Sequence, residues 1–100
     1  MEKNINVKAT EKKVKLVDGE FTPDKALEIL TALINQKINF HKFEITQLWE
    51  QNHKVNQEPF WMRIQELEDE KNDLRNYISE FRHEDKKLKI TGILTIQDIY

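Results

Sequence analysis

Two Glu-x-x-His spacings are the only pattern in this sequence with the look of a metal site: Glu50 with His53, and Glu80 with His83. On a helix, residues three apart share a face, so each pair could offer one carboxylate and one imidazole to a cation. Di-iron helical bundles use this arrangement, but they add a glutamate from each of two further helices. Folded as a helical hairpin, this chain would hold Glu50 and His53 by the connection and Glu80 and His83 at the opposite end. Acidic residues are frequent enough here for such spacings to arise by chance. Capping or solvated roles are therefore expected for all four, with no metal and no other cofactor. A histidine at position 83 is already accounted for by the negative end of a helix dipole.

His41 is the third histidine, placed on an apolar face between Ile38 and Ile45 with Phe40 and Phe43 beside it. A buried imidazole could serve proton transfer or pH sensing. A ring at the edge of the core, hydrogen-bonded to a neighbour, is the simpler expectation. Counted outward from the connection of a hairpin, His41 falls opposite roughly Glu68 to Asn72, which suggests a polar layer of His41 and Lys71. Such a layer can set register at some cost in stability. Alternatively, Lys71 could run its ammonium out to water.

Nucleophilic chemistry has little material. Cysteine is absent, which excludes disulfides, thiolate catalysis and cysteine-ligated zinc. Ser79 is the only serine and sits inside a helical pattern, and Glu80 and His83 cannot complete a triad with it. Gly19 and Gly92, the only glycines, belong to no phosphate-binding loop and leave nothing from which to build an oxyanion hole. The carboxylates Glu66 and Glu70, and Asp69 and Asp73, fall on exposed helical faces and are expected to be solvated. No catalytic residue is assigned, and the chain is not expected to be an enzyme.

The elements that must carry these residues are legible. Lys13, Val14, Lys15, Leu16 and Val17 alternate as a strand over about 12–18, with Asp18 and Gly19 as the following turn. Residues 1–11 show no clear period and are expected to lack fixed structure, although Ile5 and Val7 could lengthen the strand. Thr22 followed by Pro23 and Asp24 is a helix start, with Phe21 placed to staple onto Ala26. From Ala26 to Trp49, apolar residues recur at steps of three and four, predicting a helix over about 22–50. Residues 51–56 are polar and aperiodic and read as the connection, ending in Asn56 as a cap. Pro59 fits only a first turn. A second helix is predicted over about 57–84, with Phe60, Ile64, Leu67, Lys71, Leu74, Ile78 and Phe81 at alternating steps of four and three. That is a heptad stripe broken once by Lys71. Finally, 88–98 alternate as a strand, with Gly92 at a bend or bulge.

The resulting class is α+β, mainly α: a long antiparallel helical hairpin flanked by a short N-terminal and a C-terminal strand, in the order β-α-α-β, as a single domain over 1–100. Each helix carries more apolar surface than one neighbour covers, so completion by homodimerisation is expected. The interface is placed on Ile64, Leu67, Lys71, Leu74, Ile78 and Phe81, and a sheet shared between two chains would satisfy the strand edges. Trp49, Phe60 and Trp61 flank the connection. They are expected to cap the bundle tip, the alternative being an exposed aromatic patch for another protein.

Charge disfavours a nucleic-acid partner without excluding it. The formal net charge is −2, and residues 59–84 carry four basic against seven acidic side chains, a segment that nucleic acid would repel. A nucleic-acid regulator would have to gather Lys12, Lys13, Lys15, Lys86, Lys87 and Lys89 on one side of the sheet. No apolar run approaches a membrane span, and the first residues have no secretion-signal core. The expectation is a non-enzymatic, cytoplasmic, homodimeric interaction or regulatory protein, the alternatives being a small nucleic-acid-associated regulator that uses those lysines or, further off, a metal-dependent enzyme that uses the Glu-x-x-His pairs. Its partner would be a second copy or another protein, not nucleic acid and not a membrane.

Overall fold

A computed structural model describes residues 10–99. Four elements follow in chain order: β1 (Glu11–Phe21), α1 (Pro23–Gln51), α2 (Glu58–Ser79) and β2 (Leu88–Gln97). The expected β-α-α-β order holds, and the fold is mainly helical with a two-stranded antiparallel sheet. The chain forms two compact units, the hairpin carried by 21–88 and the ribbon carried by the described residues on either side. Among the described residues, no helix is long and apolar enough to cross a membrane.

The start of α1 forms as its residues require. Thr22 stays extended, its Oγ1 accepts from the Lys25 amide at 3.2 Å, and its carbonyl accepts from Ala26 at 2.8 Å. Pro23 takes the position whose amide would have had no partner. At the other end the Asn52 amide donates to the Leu48 carbonyl, and Asn52 Oδ1 accepts from Lys54, folding the chain into the connection. Asn56, expected as the cap of α2, lies one residue before it: its Oδ1 accepts from the Glu58 amide at 3.1 Å, while Gln57 holds the cap position without a side-chain capping bond.

The two helices run antiparallel, because contacts pair early residues of one with late residues of the other. Asp24 meets Arg82, Asn35 meets Lys71, and Ile45 clusters with Ile64. The core is a small cluster of Ile38, Ile45 and Ile64, with Ile34, Phe60 and Leu67 packed on its margin. Ala26 and Ile78 are buried as well, Ile78 to 2% exposure.

Two expectations need correction. First, α2 ends at Ser79, not near 84. Ser79 Oγ donates to the Arg75 carbonyl at 2.6 Å, and the Phe81, Arg82 and Glu84 amides then donate three residues back. The tighter turns close at Asp85, whose φ of 52° is left-handed. From Arg82 to Lys87 the chain offers no apolar residue to hold a helix against α1, and Glu84 and Asp85 would oppose the negative end of a longer helix dipole. Second, β1 begins at Glu11 and continues through Asp18 and Gly19, where a turn was expected. Neither residue takes positive φ, so the pair stays extended in the ladder. The remainder of the expectation for residues 1–11, and the extension by Ile5 and Val7, lie outside the described residues. β2 spans Leu88–Gln97 and includes Gly92, where an added Cβ would meet only Val17 Cβ at 3.9 Å.

Candidate interaction surface

The heptad stripe of α2 lies on the side facing α1. Ile64 is 6% exposed within the core cluster, Leu67 packs on its margin, and Leu74, Lys71 and Phe81 are half-buried. These residues, assigned to an interface from their spacing, serve first to join the hairpin within one chain. Lys71, the polar break in the stripe, is tied at both sides. Its Nζ donates to Asn35 Oδ1 at 2.9 Å and pairs with Glu68 at 3.0 Å. Asn35 lies six residues before His41, about 9 Å along the axis at 1.5 Å per residue, so Lys71 and His41 make separate polar contacts.

His41 has its own partner on α1. Nδ1 is 3.0 Å from Glu44 Oε1, and because a carboxylate only accepts, Nδ1 carries the proton. Nε2 is buried without a hydrogen-bond partner, and the Phe40 ring meets the imidazole edge-on at 6.0 Å. From α2, the groups beside His41 are Pro59, Phe60 and Arg63, which with Glu44 line a cleft of about 280 Å³. This is the hydrogen-bonded core-edge imidazole that the sequence suggests. No hydroxyl or thiol lines that cleft.

The Glu-x-x-His spacings do not make helical metal sites. His53 lies past the end of α1 and stacks on Trp49, the rings 3.8 Å apart and 9° from parallel. Glu80 and His83 lie in the turns after α2. Among the described residues, no three His, Asp or Glu side chains converge as metal ligands would. Of the aromatic residues by the connection, Phe60 packs on the core, while Trp49 and Trp61 are exposed, Trp61 Nε1 donating to Gln57 at 3.3 Å. Lys12, Lys13, Lys15, Lys86, Lys87 and Lys89 are all exposed. Lys15 pairs with Asp18 and Lys86 with Glu84, which offsets part of their charge.

Of the large aromatic residues left in water on α1, Trp49 stacks on His53, while Phe40 and Phe43 point away from this core. Ile38 and Ile45 lie within about 20° of one another around the helix at 100° per residue, and Ile29, Leu33, Gln36, Phe40, Phe43 and Gln47 cluster near the opposite side. Their steps of four, three, four, three and four make a second heptad stripe. It carries no charge over five turns, and its centre is Phe40 and Phe43, which are 56% and 62% exposed. A groove lined by Phe43, Thr46, Gln47, Glu50 and Gln51 continues along it. The outward face of α2 is different in kind, carrying Glu66, Asp69, Glu70 and Asp73, all exposed. Reading the sequence for one apolar face per helix missed this surface. The signal was the alternating spacing from Ile29 onward, masked by the two glutamines and by the core residues interleaved with it.

Comparison with protein-family models, with curated protein sequences and with solved structures finds no match.

Proposed function

We infer that this chain is a non-enzymatic interaction protein that acts as a homodimer, using its helical hairpin to hold a second copy and through it to build a larger protein assembly. One observation carries the reading: α1 is apolar on two opposite sides, and α2 covers only one of them. Exposed phenylalanines at heptad spacing on an otherwise uncharged stripe are costly to leave in water, and a contiguous patch of that kind marks an association site on a small protein. The groups that could do chemistry support the same reading. His41 is occupied by Glu44, Ser79 by a backbone carbonyl, and His53 by Trp49.

Sedimentation equilibrium or light scattering of the purified protein tests it. The expected mass at tens of micromolar is twice the 12.1 kDa of one chain. A mass of one chain at all concentrations up to about 100 μM, weaker than protein interfaces of functional size ordinarily are, refutes it.

A further inference from the structure

The outer stripe of α1 carries a register in its flanks. With Leu33, Phe40 and Gln47 at heptad position a, and Gln36 and Phe43 at d, one flank holds Leu30, Lys37 and Glu44 and the other Ala32, Asn39 and Thr46. The only charges flanking the stripe between Ile29 and Gln47 are therefore Lys37 and Glu44, opposite in sign and one heptad apart. In a parallel pair of helices, opposite flanks meet. Lys37 would then face the partner's Ala32, and Glu44 the partner's Asn39, with no charge satisfied. In an antiparallel pair, like flanks meet. Seating Phe40 against the partner's Phe43 then sets Lys37 beside the partner's Glu44 and, by the twofold symmetry, Glu44 beside the partner's Lys37. Sliding by one heptad in either direction brings Lys37 against the partner's Lys37, or Glu44 against the partner's Glu44.

We propose that a second copy of this chain docks on the outer face of α1, antiparallel, with the Phe40 and Phe43 rings of both chains at the centre and reciprocal Lys37–Glu44 pairs beside them. This rests on the self-association reading and names its surface, direction and register. Gln36 and the partner's Gln47 close the apolar centre on either side, where amides can hydrogen-bond to each other at the rim. The carboxylate of Glu44 is held on its flank by His41 Nδ1 through one oxygen, which leaves the other for the partner's lysine. The acidic outer face of α2 would repel its own copy, so the alternative helix surface is unfavourable.

The chain has no cysteine, so an engineered thiol is unique in each copy. In the proposed register, Gln36 sits level with the partner's Gln47, whereas two copies of Gln36 lie about 16 Å apart along the axis. Mixing Gln36→Cys protein with mass-tagged Gln47→Cys protein under mild oxidation should give the mixed disulfide, and Gln36→Cys alone should give little covalent dimer. Lys37→Glu and Glu44→Lys should each weaken the dimer about tenfold, and the double swap should restore it to within about threefold. Phe40→Asp should abolish the dimer at tens of micromolar while helical circular dichroism is retained, since Phe40 lies outside the core cluster. A parent dimer that ignores both charge reversals, and that links Gln36→Cys to itself, overturns this surface and leaves self-association standing, as a dimer joined through the ribbon edges would do. A parent protein that is monomeric throughout overturns both.

Discussion

Replacing Ile64 by alanine tests which side of α1 is the inside of this protein. Ile64 is 6% exposed and touches the only three-residue buried cluster among the described residues, with Ile38 and Ile45. Removing a buried isoleucine side chain down to its Cβ costs about 2–5 kcal/mol, set by how far the neighbours can close the space. Here Ile34, Phe60 and Leu67 are only partly buried and can relax toward it, which places the loss near the low end, about 2–3 kcal/mol. For a domain of this size, each kcal/mol moves the melting midpoint by about 4–8 °C, so a fall of about 10–20 °C is expected. The assay is urea and thermal unfolding followed by helical circular dichroism, at dilution low enough that association adds nothing to stability. Phe40→Ala, measured beside it, removes more carbon atoms from the same helix pair, yet should change the stability of the single chain by no more than about 0.5 kcal/mol, because that ring is already in water. A loss below about 1 kcal/mol at Ile64, or a larger loss at Phe40 than at Ile64 under monomeric conditions, would refute the packing argument.

Other substitutions probe single local devices. Thr22→Ala removes the acceptor for the Lys25 amide and should cost about 1 kcal/mol in urea unfolding, with Thr22→Ser nearly neutral. Asp85→Gly should leave the protein as stable or more stable by up to about 1 kcal/mol, because Asp85 holds a left-handed backbone, whereas Asp85→Val should destabilise it. Gly92→Ala should raise the melting midpoint slightly, by about 0.5 kcal/mol in stability, since the strand there is extended and an added methyl meets only Val17. Lys71→Met should be neutral or stabilising, within about 1 kcal/mol, because a half-buried ammonium with two polar partners is replaced by a side chain suited to the stripe.

The local signals in the sequence translate directly into structure where a residue acts on its own backbone. Thr22-Pro23 starts α1, Asn56 accepts from the Glu58 amide just ahead of α2, and the four-three spacing from Phe60 to Ile78 becomes the side of α2 that meets α1. Such devices depend on contacts within a few residues, so no knowledge of the fold is needed to read them. The end of α2 is different. Its periodicity continues to Phe81, but the helix stops at Ser79: residues 82–87 supply no apolar side chain to hold it against α1, and Arg82 pairs with Asp24, 58 positions away in the chain. Asp18-Gly19 likewise has the composition of a turn and becomes strand, because the hydrogen bonds of a distant segment, β2, extend the ladder past it.

The candidate surface lies between these cases. Every residue of the outer stripe of α1 is visible in the sequence, and so are Lys37 and Glu44. Periodicity alone, however, shows that α1 is apolar on more than one side without showing which side α2 takes. The sequence by itself determined that there are two amphipathic helices in a β-α-α-β order and no thiol chemistry. Tertiary structure decided that Ile38 and Ile45 face inward against Ile64, leaving Phe40 and Phe43 in water. The physical reason is that a helix buries whichever stripe best interdigitates with its partner, and that choice depends on the shape of both helices together.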